Sequence, residues 1–210
     1  MSVPGTSRSS PPGTQAAGCC QGSLNGSALP PREAFPKLAP LIDYLDTVRD
    51  RACLSTLSDL LATTSVTRAD IAGTCTFGVK GYRRNCISKS AWYELLACCW
   101  RSGHRTPIHD HRGVSCAFKV VEGDGTEIRF RETASGLICP TETIAMPAGY
   151  ICAAEDADIH QVANMQAPGG DLITLHIYSP PITKMHTYEW GACSGVEVDA
   201  GGADCYETRC

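Results

Sequence analysis

Two histidines one residue apart are the first feature of this sequence that could do chemistry. The chain has six histidines, and the stretch IHDHRGVSCAF contains His109 and His111. On a β-strand, residues two apart point to the same face, so both imidazoles can approach one point and chelate a metal ion. A pair of polar histidines at a strand end is the alternative. A third histidine from another strand would favour ligation.

An arginine beside a tyrosine could bind an anionic group. In GYRRN, Tyr82 and Arg84 share a face if the segment is a strand, whereas Arg83 points away. The planar guanidinium of arginine can bind a carboxylate through two parallel hydrogen bonds. The residues alone leave a second interpretation open, in which Arg84 is exposed and forms a surface ion pair.

Three polar side chains alternate along the segment TLHIYSPP. Thr174, His176 and Tyr178 would share one face of a strand, which allows a hydrogen-bond chain from hydroxyl to imidazole to phenol. A histidine flanked by apolar residues can also be a hydrogen-bonded core residue with no role in catalysis.

Strands are the predicted elements that position these side chains. Beyond residue 76 the sequence consists of short runs rich in Tyr, Val, Ile and Phe, separated by Gly and Pro, which is typical of antiparallel strands in a sandwich or small barrel. In CAFKVVEGDGTEIRFRE, the GDG sequence predicts a hairpin. The candidate strands are 79–88, 91–101, 107–112, 116–122, 126–133, 142–147, 150–154, 160–165 and 171–178.

Helices are predicted before the strands, and irregular segments at both ends. Between 34 and 73, Leu and Ile recur at three- and four-residue spacing, which predicts two or three short helices forming an N-terminal cap, one of them starting at Thr67 as N-cap. Residues 1–30 are rich in Gly, Ser and Pro and predict a disordered tail. Residues 191–210 have little periodicity and predict an irregular tail. The domain between them is expected to span 31–190, with the barrel at 76–180.

Composition limits the classes of partner. The net charge is -4, and no cluster of Lys or Arg indicates binding to nucleic acid. No apolar run is long enough to cross a bilayer. The 13 cysteines are odd in number and many lie in apolar runs, which favours reduced, buried thiols. We therefore expect a cytoplasmic protein with a small-molecule partner, no nucleic acid and no membrane.

The histidine pair lies in a longer spacing pattern. The positions Gly103, His109, His111, Cys116 and Gly123 resemble the first motif of the cupin superfamily, G-x5-HxH-x4-E-x6-G, with cysteine in place of glutamate. The later stretch HQVAN resembles the end of the second cupin motif and supplies His160 as a third imidazole. The motif's own spacing would place that histidine at Cys152, so an insertion is expected before His160, and Cys152 is interpreted as structural. The expected fold is therefore mainly β, a cupin-type small antiparallel barrel similar to a jelly roll.

The sequence resembles one cupin family more specifically. The segments GYRRN, SGHRTPIHDHRGVSCAFKVVEG, IHQVAN and LITLHIYSPP are similar in order and spacing to the cysteine dioxygenases, over about residues 36–190. The resemblance implies ferrous iron, Fe(2+), held by His109, His111 and His160. It also implies the animal-type branch, in which a cysteine forms a thioether with a tyrosine, here Cys116 and Tyr178.

The resemblance implies a reaction. A non-haem iron dioxygenase of this family oxidises the thiol of free L-cysteine with O2 to cysteine sulfinic acid. Three neutral imidazoles leave the metal its full double positive charge and open positions, which suits an anionic thiolate. Zinc or copper would also accept imidazole ligands, so the choice of iron comes from the family.

Roles for the remaining residues follow from the same resemblance. Arg84 and Tyr82 match the carboxylate-binding pair, and His176 and Tyr178 match residues that contact the substrate and bound oxygen. The family usually has serine where this chain has Thr174, so the orientation of His176 is expected to differ slightly. Ser179-Pro180 matches a cis peptide bond of the family.

Two other functions stay open on the sequence. The substrate could be another small thiol, 3-mercaptopropionate or cysteamine, although the presence of Arg84 favours cysteine. The chain could also be a cupin that binds metal without catalysis. The resemblance favours a monomer.

Overall fold

The computed structural model describes residues 29–190 and 195–199. The predicted N-terminal tail lies outside the described residues up to position 28. Positions 191–194 and 200–210 of the predicted C-terminal tail lie outside them as well. None of the helices in the described ranges combines the length and the apolar character needed to span a membrane.

Short helices precede the strands, as the sequence predicted. They are α1 (Pro31–Ala34), α2 (Ala39–Thr47) and α3 (Leu54–Thr63), together with 3-10 helices at Pro36–Leu38 and Arg68–Thr74. The N-cap prediction at Thr67 is confirmed, because Thr67 and Asp70 form a capping box in which each side chain satisfies a backbone N–H of the other residue. The predicted helical range of 34–73 thus begins three residues late and ends one residue early.

Nine antiparallel strands follow in the described part of the chain: β1 (Arg83–Lys89), β2 (Glu94–Trp100), β3 (Ile108–Glu122), β4 (Gly125–Glu132), β5 (Ile138–Met146), β6 (Ile151–Ala163), β7 (Leu172–Ser179), β8 (Lys184–Tyr188) and β9 (Val196–Asp199). Their order is β1-β2-β7-β3-β6-β4-β5, and β8 pairs with both β3 and β9. The prediction of a mainly β, antiparallel fold with a short helical cap is confirmed. Within the described strands, β1 and β5 end this order without pairing to each other, so the hydrogen-bonded sheet does not close.

The predicted hairpin around GDG is wrong. β3 and β4 are consecutive in the chain, but β6 lies between them in the sheet and pairs with both. The turn itself does form, and Gly123 adopts a φ of 81°. A side chain at Gly123 would meet the backbone oxygen of Asp171, so the turn packs against the loop before β7. Turn chemistry predicted the change of direction, whereas packing decided which strand became the neighbour.

Two predicted strand boundaries are also wrong, because β3 and β6 are each continuous where the sequence predicted two strands. In β3, Gly113 has a φ of 77° and the register with β6 shifts between His111 and Ser115. An irregularity of this kind absorbs extra residues without ending the strand. It also brings the histidine segment and the cysteine segment onto one element.

Part of the predicted C-terminal tail forms a strand, which corrects the prediction of an irregular segment for residues 196–199. Val196–Asp199 forms β9, which pairs antiparallel with β8. The β-branched residues Val196 and Val198 favour a strand. In addition, Lys184 Nζ lies 2.9 Å from Glu197 Oε1 across the pair.

The largest cluster of the apolar core lies between the helices and one face of the sheet. Leu41, Leu45, Leu57 and Leu61 project from α2 and α3 and are fully buried. They pack with alternate residues of the central strands: Leu95, Ala97, Cys99, Ala117, Ile173, Leu175 and Ile177. Burying a leucine of this kind contributes roughly 1.5–3 kcal/mol relative to exposure. The opposite face of the same strands carries a second apolar cluster, which includes Leu96, Phe118 and Leu172, together with buried polar residues.

Candidate metal centre

Three histidines meet on the interior face of the sheet. His109 and His111 lie on β3 and His160 on β6, and His109 and His160 are direct partners across the two strands. All three are buried. Their ring centroids are 4.7 to 4.9 Å apart, and one nitrogen of each ring lies within 4.8 Å of the others. The structure thus brings together the three imidazoles that the sequence singled out.

Hydrogen bonds orient two of these rings. Nδ1 of His109 lies 3.0 Å from the carbonyl oxygen of Pro107, and Nδ1 of His160 lies 2.7 Å from Oε1 of Glu127. Donation of the Nδ1 hydrogen to these acceptors leaves Nε2 of each ring with a free lone pair. Proteins commonly orient metal-binding histidines through such partners.

Glu127 was missed by the sequence analysis. In TEIRFRE, the alternation of Ile and Phe with charged residues would place Glu127 on the solvent side, yet its side chain is fully buried. Burial alone would raise its pKa, but the hydrogen bond with His160 and the positive charge of Arg129 lower it overall. No local signal distinguishes Glu127 from an exposed strand carboxylate, because its burial depends on β6 lying beside β4.

The surroundings of the cluster suit a metal ion. Burial, followed by the charge of His160, lowers the pKa of His109 to about 3. Burial and the neighbouring histidines place the pKa of His111 well below its usual value. Neutral imidazoles are the form that binds metals. Nδ1 of His111 is buried without a hydrogen-bond partner, an arrangement that is costly unless a bound ion or water compensates. The donor set therefore fits a divalent cation.

A hydrogen-bond chain runs along β7 beside the histidines. Thr174 Oγ1 lies 2.9 Å from Nε2 of His176, and Nδ1 of His176 lies 3.2 Å from the hydroxyl of Tyr178. Trp100 extends the chain, because its indole N–H donates to Thr174 Oγ1 at 2.9 Å. The sequence analysis anticipated the three β7 residues but not the contribution of Trp100.

Burial keeps the titratable side chains of this hydrogen-bond chain, His176 and Tyr178, in their neutral forms. Burial, with a contribution from the charge of Arg84, lowers the pKa of His176 to about 3. Burial also raises the pKa of Tyr178 well above its usual value. A neutral imidazole between a hydroxyl and a phenol donates through one nitrogen and accepts through the other, so the chain has a defined direction.

Cys116 lies next to Tyr178. The two are direct partners across β3 and β7, and both are buried. Burial raises the pKa of the Cys116 thiol well above its usual value. Cys152 is also buried, on β6, where burial raises its pKa to about 12. Its Sγ lies 4.0 Å from Glu127.

Tyr82 and Arg84, the predicted anion-binding pair, have different contacts in the structure. Tyr82 is buried and stacks on Trp100 with ring centroids 3.9 Å apart. The guanidinium of Arg84 lies 5.3 Å from the ring centre of Tyr178. Its Nη2 also donates to Oε2 of Glu94 at 2.9 Å. The sequence left open an exposed ion pair at Arg84; an ion pair is present, but both side chains are largely buried, at 10% and 12% exposed.

These groups surround one small cavity. Tyr82, Cys98, Trp100, Thr106, His109, His111, Cys116, His160, Val162, His176 and Tyr178 line it. A mainly β protein with a buried cluster of three histidines that could hold a metal ion is the class that this fold and this site define.

The comparisons with known proteins narrow this class to one family. The family model described as cysteine dioxygenase type I matches residues 37–190, which is most of the chain. The chain therefore belongs to the cysteine dioxygenase type I family.

Individual relatives are more distant. Cysteine dioxygenase type 1 of Bos taurus is 27% identical over 112 residues, covering 51% of this chain and 56% of that protein. The protein of the same name from Homo sapiens is 25% identical over 112 residues with the same coverage. This chain thus spans about half the length of the curated relatives it matches. Among solved structures, an RmlC-like cupin protein from Desulfovibrio desulfuricans has a TM-score of 0.40 at 20% identity, covering 51% of this chain and 91% of that one.

Proposed function

We propose that this chain is a non-haem iron dioxygenase that oxidises the thiol of free L-cysteine with O2 to cysteine sulfinic acid. One observation carries the proposal. A buried three-histidine cluster faces the Thr174-His176-Tyr178 hydrogen-bond chain across one cavity, in a member of the cysteine dioxygenase type I family.

His109, His111 and His160 would hold the iron. When bound, ferrous iron would supply open coordination positions that hold thiol and dioxygen together and would pass electrons between them. Glu127 keeps the ring of His160 in the orientation and tautomer that leave Nε2 available. Burial of the cluster excludes water and strengthens each of these electrostatic contacts.

Tyr178 and His176 act on the substrate in this proposal. Trp100 can only donate to Thr174, so the Thr174 hydroxyl can donate to Nε2 of His176. The ring then donates from Nδ1 to the oxygen of Tyr178. The phenol keeps its own proton and can donate it to a ligand in the cavity. Thr174 is a positioning residue, because it acts through His176.

Arg84 and Tyr82 bind the substrate carboxylate in this proposal. Burial would lower the pKa of Arg84, but the surrounding groups, Tyr178, Tyr82, Cys98 and Glu94 among them, raise it overall, so the guanidinium stays charged. A charged hydrogen bond of this type contributes roughly 1.5–3 kcal/mol. The ion pair with Glu94 favours a second candidate substrate, because Glu94 already occupies part of the Arg84 guanidinium. That second substrate is a small thiol without a carboxylate, such as cysteamine.

Cys116 and Tyr178 form a thioether in this proposal. Joining the sulfur to the tyrosine ring removes one hydrogen from each residue, and dioxygen, the co-substrate, accepts both. The proposal is supported by their direct pairing across β3 and β7. Intact-protein mass should fall by two hydrogens after turnover, and the variant Cys116→Ser should show no such loss. An unchanged mass together with a free Cys116 thiol after many turnovers would contradict the cross-link.

The function is tested by metal analysis coupled to oxygen uptake. Purified protein loaded with ferrous iron should consume O2 only when a thiol is present, and L-cysteine should give cysteine sulfinic acid. A higher specificity constant for cysteamine would select the second substrate, and a higher one for 3-mercaptopropionate would indicate a different carboxylate-bearing thiol. Tight metal binding without thiol-dependent oxygen uptake would indicate a cupin that binds metal without catalysis.

A further inference from the structure

A largely buried carboxylate lies on the same face of the sheet as the site. Glu94 is the first residue of β2, and its direct partner on β7 is Tyr178. Further along β2, Leu96 and Cys98 are partners of His176 and Thr174. Because side chains two apart share a face, Glu94 lies on the face that carries the hydrogen-bond chain of β7.

Two cations share this carboxylate. Arg84 Nη2 lies 2.9 Å from Oε2, and Lys89 Nζ lies 3.2 Å from Oε1. The Arg84 and Glu94 side chains are 10% and 12% exposed, whereas that of Lys89 is 39% exposed. Arg84 therefore holds Glu94 from the interior, and Lys89 holds it from the solvent side.

The contact with Glu94 changes what Arg84 can do for a ligand. A guanidinium has five N–H donors in a planar fork, and the strongest carboxylate contact uses two of them in parallel. Glu94 takes one of these donors, and its negative charge partly cancels the charge that would attract a second carboxylate. A ligand carboxylate at Arg84 must either tolerate Glu94 nearby or displace it. Lys89 makes displacement easier, because it can retain Glu94 through the other oxygen.

We propose that Glu94 is a specificity-determining residue that occupies Arg84 in place of a substrate carboxylate, and so weakens binding of carboxylate-bearing thiols relative to thiols without one. Lys89 opposes this effect. The inference rests on the proposed function, in which Arg84 is the carboxylate-binding residue.

The variant Glu94→Gln tests the inference, since it keeps the shape and removes the charge. In iron-loaded protein, KM for L-cysteine and for 3-mercaptopropionate should fall on the order of tenfold, the scale of one nearby like charge in a partly buried site. KM for cysteamine, which has the amine but no carboxylate, should stay within about twofold of wild type on the same reasoning. Calorimetric titration of 3-mercaptopropionate without O2 should show the same gain in affinity, so the test does not depend on turnover.

Two further variants complete the test. Glu122→Gln removes a carboxylate that pairs with Arg68 outside the site and should leave all three KM values unchanged. Lys89→Gln should raise KM for the two carboxylate thiols only. Because Lys89 is partly exposed, this variant also tests the inference if Glu94→Gln does not fold.

The possible failures are distinguishable. If wild-type protein consumes oxygen with thiols but Glu94→Gln shifts KM equally for cysteine and cysteamine, or lowers kcat for all thiols at a constant KM ratio, Glu94 is structural and the inference alone is wrong. If no thiol supports oxygen uptake by the wild-type protein, the proposed function fails and the inference falls with it.

Discussion

On one face of β7, Ile173, Leu175 and Ile177 pack against the helical cap. On the other face His176 and Tyr178 line the cavity beside the histidine cluster, and Thr174 forms a hydrogen bond with His176. Every residue of this strand is buried. The cap side is held by apolar area, which is tolerant of small changes in shape. The site side contains apolar residues such as Leu172 as well, but its polar side chains are positioned by hydrogen bonds, which require a specific geometry.

The two faces of this eight-residue strand are therefore expected to have different roles, one in the stability of the fold and the other in the chemistry of the site. Removing apolar volume from the cap side should lower the free energy of unfolding and leave the site intact. Removing a polar group from the site side should change metal binding or catalysis more than stability. Four substitutions, taken from the largest expected effect to the smallest, test this separation.

The largest effect is expected from His160→Ala. One of three ligands is lost, so metal affinity should fall by more than the roughly 10- to 100-fold typical of losing an outer partner. Iron content after dialysis and thiol-dependent oxygen uptake measure this. His186→Ala is the matched control, because His186 lies outside the cluster and should retain metal. Wild-type iron content in His160→Ala would contradict the assignment of the centre.

Leu175→Ala tests the cap side of the same strand. Leu175 is fully buried, and truncation should lower the free energy of unfolding by about 2–5 kcal/mol. Chemical denaturation measures the loss. Iron bound per folded molecule should match wild type, and a parallel loss of metal would show that the two faces are not independent.

Glu127→Gln should have a smaller effect on the centre. The amide oxygen can still accept from His160, but the negative charge that favours the oriented ring is gone. Metal affinity should fall about 10- to 100-fold, measured by competition with a chelator. Glu142→Gln, an exposed carboxylate on the neighbouring β5, should change nothing. Equal metal affinities for the two variants would show that Glu127 does not contribute to metal binding.

Thr174→Ser is expected to have the smallest effect. The hydroxyl between Trp100 and His176 is kept and one methyl group is lost, so stability should fall by about 0.8 kcal/mol at most and kcat should be close to wild type. Thr174→Val keeps the shape and removes the hydroxyl, and its kcat should fall. Similar kcat values for the two variants would mean that the hydroxyl does not position His176.

Most of the side chains that the sequence predicted to share one face of a strand do so in the structure. His109 with His111, and the polar alternation on β7, depend only on the two-residue period of a strand. The helical cap and its boundary at Thr67 followed from equally local signals. Glu127 and the Arg84-Glu94 pair were not predicted, because both depend on which strands are neighbours. The strand β9 was missed for the same reason, since four residues become a strand only where β8 offers them a partner.

Sequence alone therefore determined which side chains lie together on one strand. It also determined the family to which the protein belongs. Alternation along a strand is a property of local backbone geometry and needs no tertiary contact. Only the tertiary structure decided that β6 lies between β3 and β4, which brings His160 to His109 and buries Glu127 behind it. The order of strands depends on the burial of apolar side chains from many separate segments, so no short segment carries that information.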